Sequence, residues 1–263
     1  MELNKIYCED CLETLVRMPN GFLDLTVTSP PYDNLRGYNG YFFNFESIAM
    51  ELFRVTKRGG VVVWIIGDAT IDGSETGTSF KQALYFMECG FKLHDTMIYH
   101  RQSGNPPNKR YWQNFEYMFI FSKGDISTHN LIKDRKNKYT TMGGDNVRQK
   151  DGSMKSGNRG GIKFDEYGWR ENIWYYGVGG GNMSKDKCVS NHPAVFPEDL
   201  AKDHIYSWNN EGDLVYDPFM GSGTTAKMAH IYKRNWIGSE ISQEYVDLAN
   251  KRLKPYLTQT TLF

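Results

Sequence analysis

The stretch Leu214-Val-Tyr-Asp217-Pro218-Phe219-Met-Gly221-Ser222-Gly223-Thr224-Thr-Ala226 decides how this chain must fold. Leu214–Tyr216 reads as a short strand, and Thr224 to about Tyr232 as a helix. Between them lies the spacing G-x-G-x-x-A, which lets a backbone turn tightly and approach a ligand closely. Glu240 stands 19 residues after Gly221, at the end of a second strand, Asn235–Ser239. A carboxylate there can accept bonds from both hydroxyls of a ribose. The residues point to an adenosine-type ligand, although a plain glycine-rich turn has the same spacing. A nicotinamide-dependent dehydrogenase is the obvious reading, and position counts against it. Such folds open with this turn, whereas only 40 residues follow Gly223 here. The sheet must therefore receive its first strand–helix unit last. Asp217-Pro218-Phe219 also suits a ligand with a charged amino-acid end and no pyrophosphate.

Upstream, strands and helices alternate. Phe22–Thr28 and Val61–Ile66 are apolar, β-branched runs of the kind that form buried strands. Asn44 can cap a helix running to Lys57, stopped by Gly59-Gly60, and Ser79 can cap one through Met87. Phe91–His100 and Tyr117–Ser122 read as a hairpin at a sheet edge. Pro197 suits the first position of a helix to about Ser207. Ser242 caps a last helix to Leu253, with 258–263 as a loose tail. The alternation predicts a largely parallel sheet covered by helices.

One further element stands out. Thr28-Ser29-Pro30-Pro31-Tyr32 follows its strand directly. Two prolines fix φ twice and remove two amide donors. The result is a stiff hook whose Ser29 and Pro30 carbonyls remain acceptors, with a hydroxyl and a flat ring added. Ligands of open α/β sheets bind beyond the carboxyl ends of strands, where this hook sits. A simple Pro-Pro turn with a packing tyrosine has the same sequence.

Composition sets outer bounds. The 263 residues are 40% hydrophobic and 24% charged, ordinary for a globular enzyme and unlike disordered or fibrous chains. No apolar run reaches the roughly 18 residues of a membrane span. The charged start carries no signal-peptide pattern, and four cysteines make no disulfide scaffold, so a reducing cytoplasm is expected. Lys+Arg and Asp+Glu both number 31, but unevenly: Arg101–Ser190 holds 16 basic against 9 acidic, and the remainder 15 against 22. A basic segment on an acidic body is what a polyanion-binding insert looks like, and a solvated loop region can share that balance. From Gly143 to Gly181, 11 of 39 residues are glycine, with Lys and Arg interleaved among Tyr139, Tyr167, Trp169 and Trp174 nearby. Basic residues mixed with aromatics suit phosphate contact and base stacking; a mobile linker with anchoring aromatics fits as well.

Together, Ser29-Pro30-Pro31-Tyr32 and Phe219-Met-Gly221-Ser222-Gly223 resemble the DNA amino-methyltransferases. That family carries an [Asp/Asn/Ser]-Pro-Pro-[Tyr/Phe] catalytic motif and a Phe-x-Gly-x-Gly motif for S-adenosylmethionine. Catalytic motif first and cofactor motif last is similar to the family's β class. The resemblance covers nearly the whole chain. It implies an α/β, Rossmann-like methyltransferase sheet with helices on both faces and a permuted motif order. Residues 1–122 would be the catalytic half, 123–190 an inserted target-recognition region, and 191–263 the cofactor-binding half of the same core.

The resemblance also assigns roles. Ser29, Pro30, Pro31 and Tyr32 would be catalytic, with Ser29 also beside the cofactor. Asp217, Pro218, Phe219, Gly221, Ser222, Gly223 and Thr224 would line the cofactor turn. Glu240 would hold the ribose, with Ile241 against the adenine. Asp10 and Cys11 match the element that meets the adenine amino group and ring; Asp10 equally suits the N-cap of a helix through Leu12-Glu-Thr-Leu. His192, Pro193 and Phe196 match the element beside the methionine end, where many relatives carry Lys in place of Phe196. The implied partner is double-stranded DNA with a short specific target, in a prokaryotic or phage cytoplasm. A cognate restriction endonuclease is a further partner that the resemblance allows.

The implied chemistry is methyl transfer to an exocyclic amine of a flipped-out base. Serine at the head of the hook is the family's tendency for N4 of cytosine, and Asp or Asn for N6 of adenine, which remains the alternative. Cytosine C5 transfer needs a cysteine nucleophile, usually after proline, and none of Cys8, Cys11, Cys89 or Cys188 follows one. Cys8-Glu-Asp-Cys11 with Cys188 and His192 is a weak zinc pattern. An RNA methyltransferase, or a DNA-binding protein that has lost activity, shares most of these features.

Overall fold

The computed structural model describes residues 1–31, 43–101, 109–139, 146–156, 163–177, 184, 186 and 197–258. The chain divides into two compact units, Met1–Asn130 with Asn172–Phe263, and Leu131–Glu171. Among the described residues, no helix is long and apolar enough to cross a membrane.

Among the described residues, the larger unit is built on an eight-stranded sheet. In chain order its elements are β1 (Lys5–Cys8), α1 (Cys11–Arg17), β2 (Leu23–Thr28), α2 (Phe45–Val55) and β3 (Thr56–Ile66). A small hairpin follows, β4 (Thr70–Ile71) and β5 (Ser74–Glu75), then α3 (Thr78–Glu88), β6 (Lys92–Arg101) and β7 (Phe115–Ser122). The second unit holds β8 (Lys133–Lys136), β9 (Asn146–Arg148), β10 (Met154–Ser156) and β11 (Tyr167–Trp169). The chain then returns with β12 (Ile173–Tyr176), α4 (Glu198–Trp208), β13 (Leu214–Asp217), α5 (Thr224–Ile231), β14 (Asn235–Glu240) and α6 (Gln243–Thr258).

Across the sheet the order is β1-β14-β13-β2-β3-β7-β6-β12. β7 runs antiparallel to both neighbours, and every other pairing in the sheet is parallel. The unit β13–α5–β14 thus slots between β1 and β2, which is the late-supplied unit that the position of the glycine turn demanded. This is a Rossmann-like α/β fold. Val61 to Ile66 are all buried, as strands covered on both faces are. On one face Val62, Trp64 and Ile66 join Ile48 and Leu52 of α2 and Phe86 of α3 in a single core. Phe86 stacks on Phe121 at 4.6 Å between ring centroids. α4 packs against β2 and β3, and against α5, which contacts α6.

Several local expectations are corrected. α2 ends at Val55, before the glycines: Thr56 terminates it, its hydroxyl donating to the Leu52 carbonyl at 2.6 Å, and Gly59-Gly60 lie inside β3. Gly77, not Ser79, precedes α3; Asp68 accepts from the Ser79 backbone N–H (2.9 Å) and hydroxyl (2.5 Å), so a carboxylate from another segment caps that end. Pro197 sits just outside α4 and α4 begins at Glu198. The β6–β7 hairpin forms but is not the edge, because β12 pairs with β6. That places Trp174 in the core, 4.7 Å from the His204 ring, rather than on a base-stacking surface. The last helix runs past Leu253 to Thr258, through Pro255.

Candidate active site

The parallel pairing of β13 with β2 sets the site. Tyr216 lies opposite Thr26, so the two strands end side by side, with Asp217 reaching Thr28. Thr28 Oγ1 donates to Asp217 Oδ1 at 2.7 Å, across 189 residues of sequence. Thr225 Oγ1, one residue into α5, donates to Asp217 Oδ2 at 2.7 Å, and the Phe219 N–H to Oδ1 at 3.0 Å. One buried carboxylate therefore joins the residue before Ser29 to both sides of the glycine turn. Burial pushes the Asp217 carboxyl up to about 6, with the Thr28, Thr225 and Phe219 hydrogen bonds opposing.

Ser29, Pro30 and Pro31 follow β2 directly, Pro30 buried and its neighbours half-buried. Across from them the turn closes with a Gly223 N–H bond to the Met220 carbonyl at 2.9 Å. Gly221 (φ 50°) and Gly223 (φ 80°) both occupy the left-handed region that glycine adopts without strain. A methyl group on Gly223 would meet Ala249 Cβ at 3.1 Å, so α6 packs close behind. Gly238 of β14 has an equally steric reason: a Cβ there would stand 2.2 Å from Met220 Cε.

Glu240 completes the rim. Its Oε2 accepts from the Gly221 N–H and its Oε1 from the Ser242 N–H, both at 2.9 Å. Burial pushes its carboxyl above the ordinary range, against those backbone hydrogen bonds. The Ile241 N–H is also directed at this carboxylate, which keeps acceptor capacity for a ligand hydroxyl. Ile241 beside it is exposed. Glu240 thus offers a hydroxyl acceptor beside a glycine turn that the buried Asp217 holds in place. That arrangement fits a nucleoside ligand, and so fits S-adenosylmethionine.

The other expected residues divide. Asp10 caps α1, accepting from the Leu12 N–H at 2.8 Å, and Cys11 is buried in the core below it. Tyr32, His192, Pro193 and Phe196 lie outside the described residues, as does Cys188. Cys8 is exposed and Cys11 buried, and no group of three metal-ligating side chains occurs among the described residues. Thr28 and Thr225 were missed by sequence reading, since a threonine carries no motif until its distant partner is known.

In the smaller unit, β8 pairs antiparallel with β11, and β9 with β10. Lys133, Arg135 and Lys136 are exposed. Part of their charge is matched locally: Lys133 pairs with Asp165 at 3.0 Å and Lys136 with Glu166 at 3.9 Å. Lys133 Nζ stands 5.7 Å from the Trp169 ring centre and Lys138 Nζ 5.5 Å from that of Tyr139, both rings exposed.

Comparison with known proteins agrees with this geometry. The profile of the DNA methylase family, the N6/N4 methyltransferases, matches residues 23–251. The chain belongs to that family: it is an S-adenosylmethionine-dependent DNA methyltransferase of the N6/N4 class. The orphan methyltransferase M.BamHII of Bacillus amyloliquefaciens is 58% identical over 247 residues, 89% of this chain and 90% of that one. Among solved structures, the PvuII DNA methyltransferase, described as cytosine-N4-specific, superposes with a TM-score of 0.69 at 20% identity, covering 98% of this chain and 87% of that one. A DNA modification methylase of Thermus thermophilus, in complex with S-adenosyl-L-methionine, gives 0.63 at 21% identity, covering 97% and 96%. These two likenesses are of fold.

Proposed function

We propose that the chain methylates N4 of cytosine in double-stranded DNA, at a short specific target, with the base flipped out of the helix. The observation that carries this reading is a serine at the head of the Pro-Pro hook, where the carboxyl end of β2 meets the cofactor turn through Asp217. When bound, the cofactor supplies a methyl group on a sulfonium.

An exocyclic amine is a poor nucleophile because its lone pair is delocalised into the ring. Ser29 Oγ and the Pro30 carbonyl each accept one N–H of that amine. This turns the nitrogen toward tetrahedral geometry and frees the lone pair. Positive charge grows on nitrogen during transfer, and acceptors already in place stabilise it. No strong base is required first; the proton leaves afterwards. The rigidity of Pro30-Pro31 holds these acceptors, and Tyr32 offers the stacking face.

In the cofactor half, Gly221 to Thr224 form the turn, Phe219 and Pro218 flank it, and Asp217 fixes it to β2. Glu240 takes the ribose hydroxyls, with Ile241, Asp10 and Cys11 toward the adenine. His192, Pro193 and Phe196 take the methionine end. The unit 131–171 with its flanks, within 123–190, binds the duplex.

Nucleoside mass spectrometry of methylated DNA tests it. N4-methyldeoxycytidine is expected; N6-methyldeoxyadenosine alone overturns the product and leaves the class standing. Ser29→Ala should lower turnover about 10²-fold while calorimetric S-adenosylmethionine affinity stays unchanged, as removal of a transition-state acceptor would.

A further inference from the structure

The cofactor turn is braced from behind by a buried cation. Arg252 of α6 has no exposed side-chain surface. Its Nη1 donates to the Ser222 carbonyl at 3.0 Å, the Ser222 hydroxyl at 3.3 Å and the Thr224 hydroxyl at 3.0 Å. Its remaining nitrogens face the other way. Nε meets Asp186 Oδ2 at 2.8 Å, and Nη2 meets Glu198 Oε1 at 2.6 Å and the Ser184 hydroxyl at 3.1 Å. Lys227 of α5 joins the same two carboxylates, at 2.7 and 2.8 Å. Tyr256 donates to Asp186 Oδ1 at 2.9 Å.

The geometry has a direction. Ser222 and Thr224 flank Gly223, the residue with the least intrinsic restraint on its backbone. Tying the Ser222 carbonyl and the Thr224 hydroxyl to one planar group restrains the chain on both sides of that glycine. A guanidinium can do this because its donors point in fixed, divergent directions; an ammonium cannot serve the turn and both acids with the same geometry. The acids hold the guanidinium in turn. Burial raises both carboxyls, and the hydrogen bonds from Lys227 and Arg252 overcome it, bringing Asp186 down to about 2 and Glu198 below its ordinary value. Asp186 and Glu198, 12 apart in sequence, meet the same two cations, so the chain on either side of 187–197 is fastened to this point.

We propose that Arg252 is a positioning residue for cofactor binding: anchored by Asp186 and Glu198, it holds Ser222–Thr224 in the shape that accepts S-adenosylmethionine. This rests on the assignment of Gly221–Thr224 as the cofactor turn. Calorimetry with S-adenosylmethionine, kinetics and thermal melting of the ligand-free chain test it together. Arg252→Lys keeps the charge near the acids and loses the bonds to the turn. Its affinity for S-adenosylmethionine should fall about tenfold, its KM rise by the same factor, and its kcat at saturation stay within about twofold. A lower melting temperature with affinity and KM within about twofold of the parent overturns the proposal. Should Arg252→Lys fail to fold, Glu198→Gln removes one anchor and leaves Arg252 in place. Weaker binding there by about threefold or more supports the proposal on the same scale, and unchanged binding overturns it. Gly221→Val separates the two assignments. Normal binding by that variant overturns the turn and the proposal together. Abolished binding there, beside unchanged Arg252→Lys, overturns the proposal alone.

Discussion

The rim where β2 and β13 end and the unit 131–171 are built on opposite terms. At the rim, Asp217, Ser222, Thr224, Thr225 and Arg252 are buried and hydrogen-bonded to one another or to the strand ends. In the smaller unit the charged residues of β8 are exposed and meet their acids at the surface. Buried polar groups must be satisfied, so their geometry is fixed before any ligand arrives. Exposed pairs are worth about 0–1 kcal/mol and exchange partners readily. On the proposed assignment, the contrast is a division of labour: a preorganised rim for the methyl transfer, and an adjustable surface for a partner that carries many phosphates.

The sharpest attack on the first half of that contrast is Gly221→Val. At φ 50° a β-branched residue is strained, and on the proposed cofactor assignment its side chain enters the space the ligand approaches. Binding of S-adenosylmethionine should weaken more than about 100-fold in a protein that still folds, because a prebuilt turn has no alternative shape to offer. A folded variant with parental calorimetric affinity would break the comparison at its stronger end.

Neutralising Lys133, Arg135 and Lys136 together probes the other half. The salt slope of DNA binding should fall by about 0.9 for every phosphate that the variant no longer neutralises. Lys133 and Lys136 begin paired with Asp165 and Glu166, so part of their charge is spent locally. DNA affinity is therefore expected to drop about tenfold, less than three free cations would give, with a slope change of about one to two. Cofactor affinity should not move. DNA affinity and slope both unchanged would make this cluster a solvated surface, with Arg148 and Lys155 next to test.

The same contrast governs what could be read in the sequence. Ser29-Pro30-Pro31 and Gly221-Ser222-Gly223 were legible because their constraints are local: fixed φ at proline and permitted φ at glycine. The late position of the turn gave the permuted sheet. Partnerships across the fold were not legible. Nothing beside Thr28 announces Asp217. Arg252 did leave a trace, a charge in line with buried Val246 and Ala249 on one helix, but its acids lie on other elements. Ile173–Tyr176 is hidden inside glycine-rich sequence, so Trp174 reads as a DNA-facing ring when it packs in the core. At Ser79 a local capping rule yields to Asp68, which reaches the helix start from 11 residues away.

The smallest effect tests whether Asp217 is tuned or merely buried. Its folded carboxyl sits at about 6, above the unfolded value, because burial disfavours the charge. A group raised on folding contributes stability that is full below its unfolded pKa, about 3.9, and is lost as pH rises through its folded one. Asp217→Asn keeps the shape and cannot titrate. The parent's stability relative to that variant should therefore shrink from about pH 5 to about pH 8, by about 1 kcal/mol. In melting temperature that is about 3 °C for a chain of this size. Melting both proteins across that range, other carboxyls cancelling in the difference, gives the answer. A gap that stays flat or widens with pH would mean that the Thr28 and Thr225 hydroxyls fully offset the burial. The link between hook and turn would then be a fixed ion, indifferent to pH over this range.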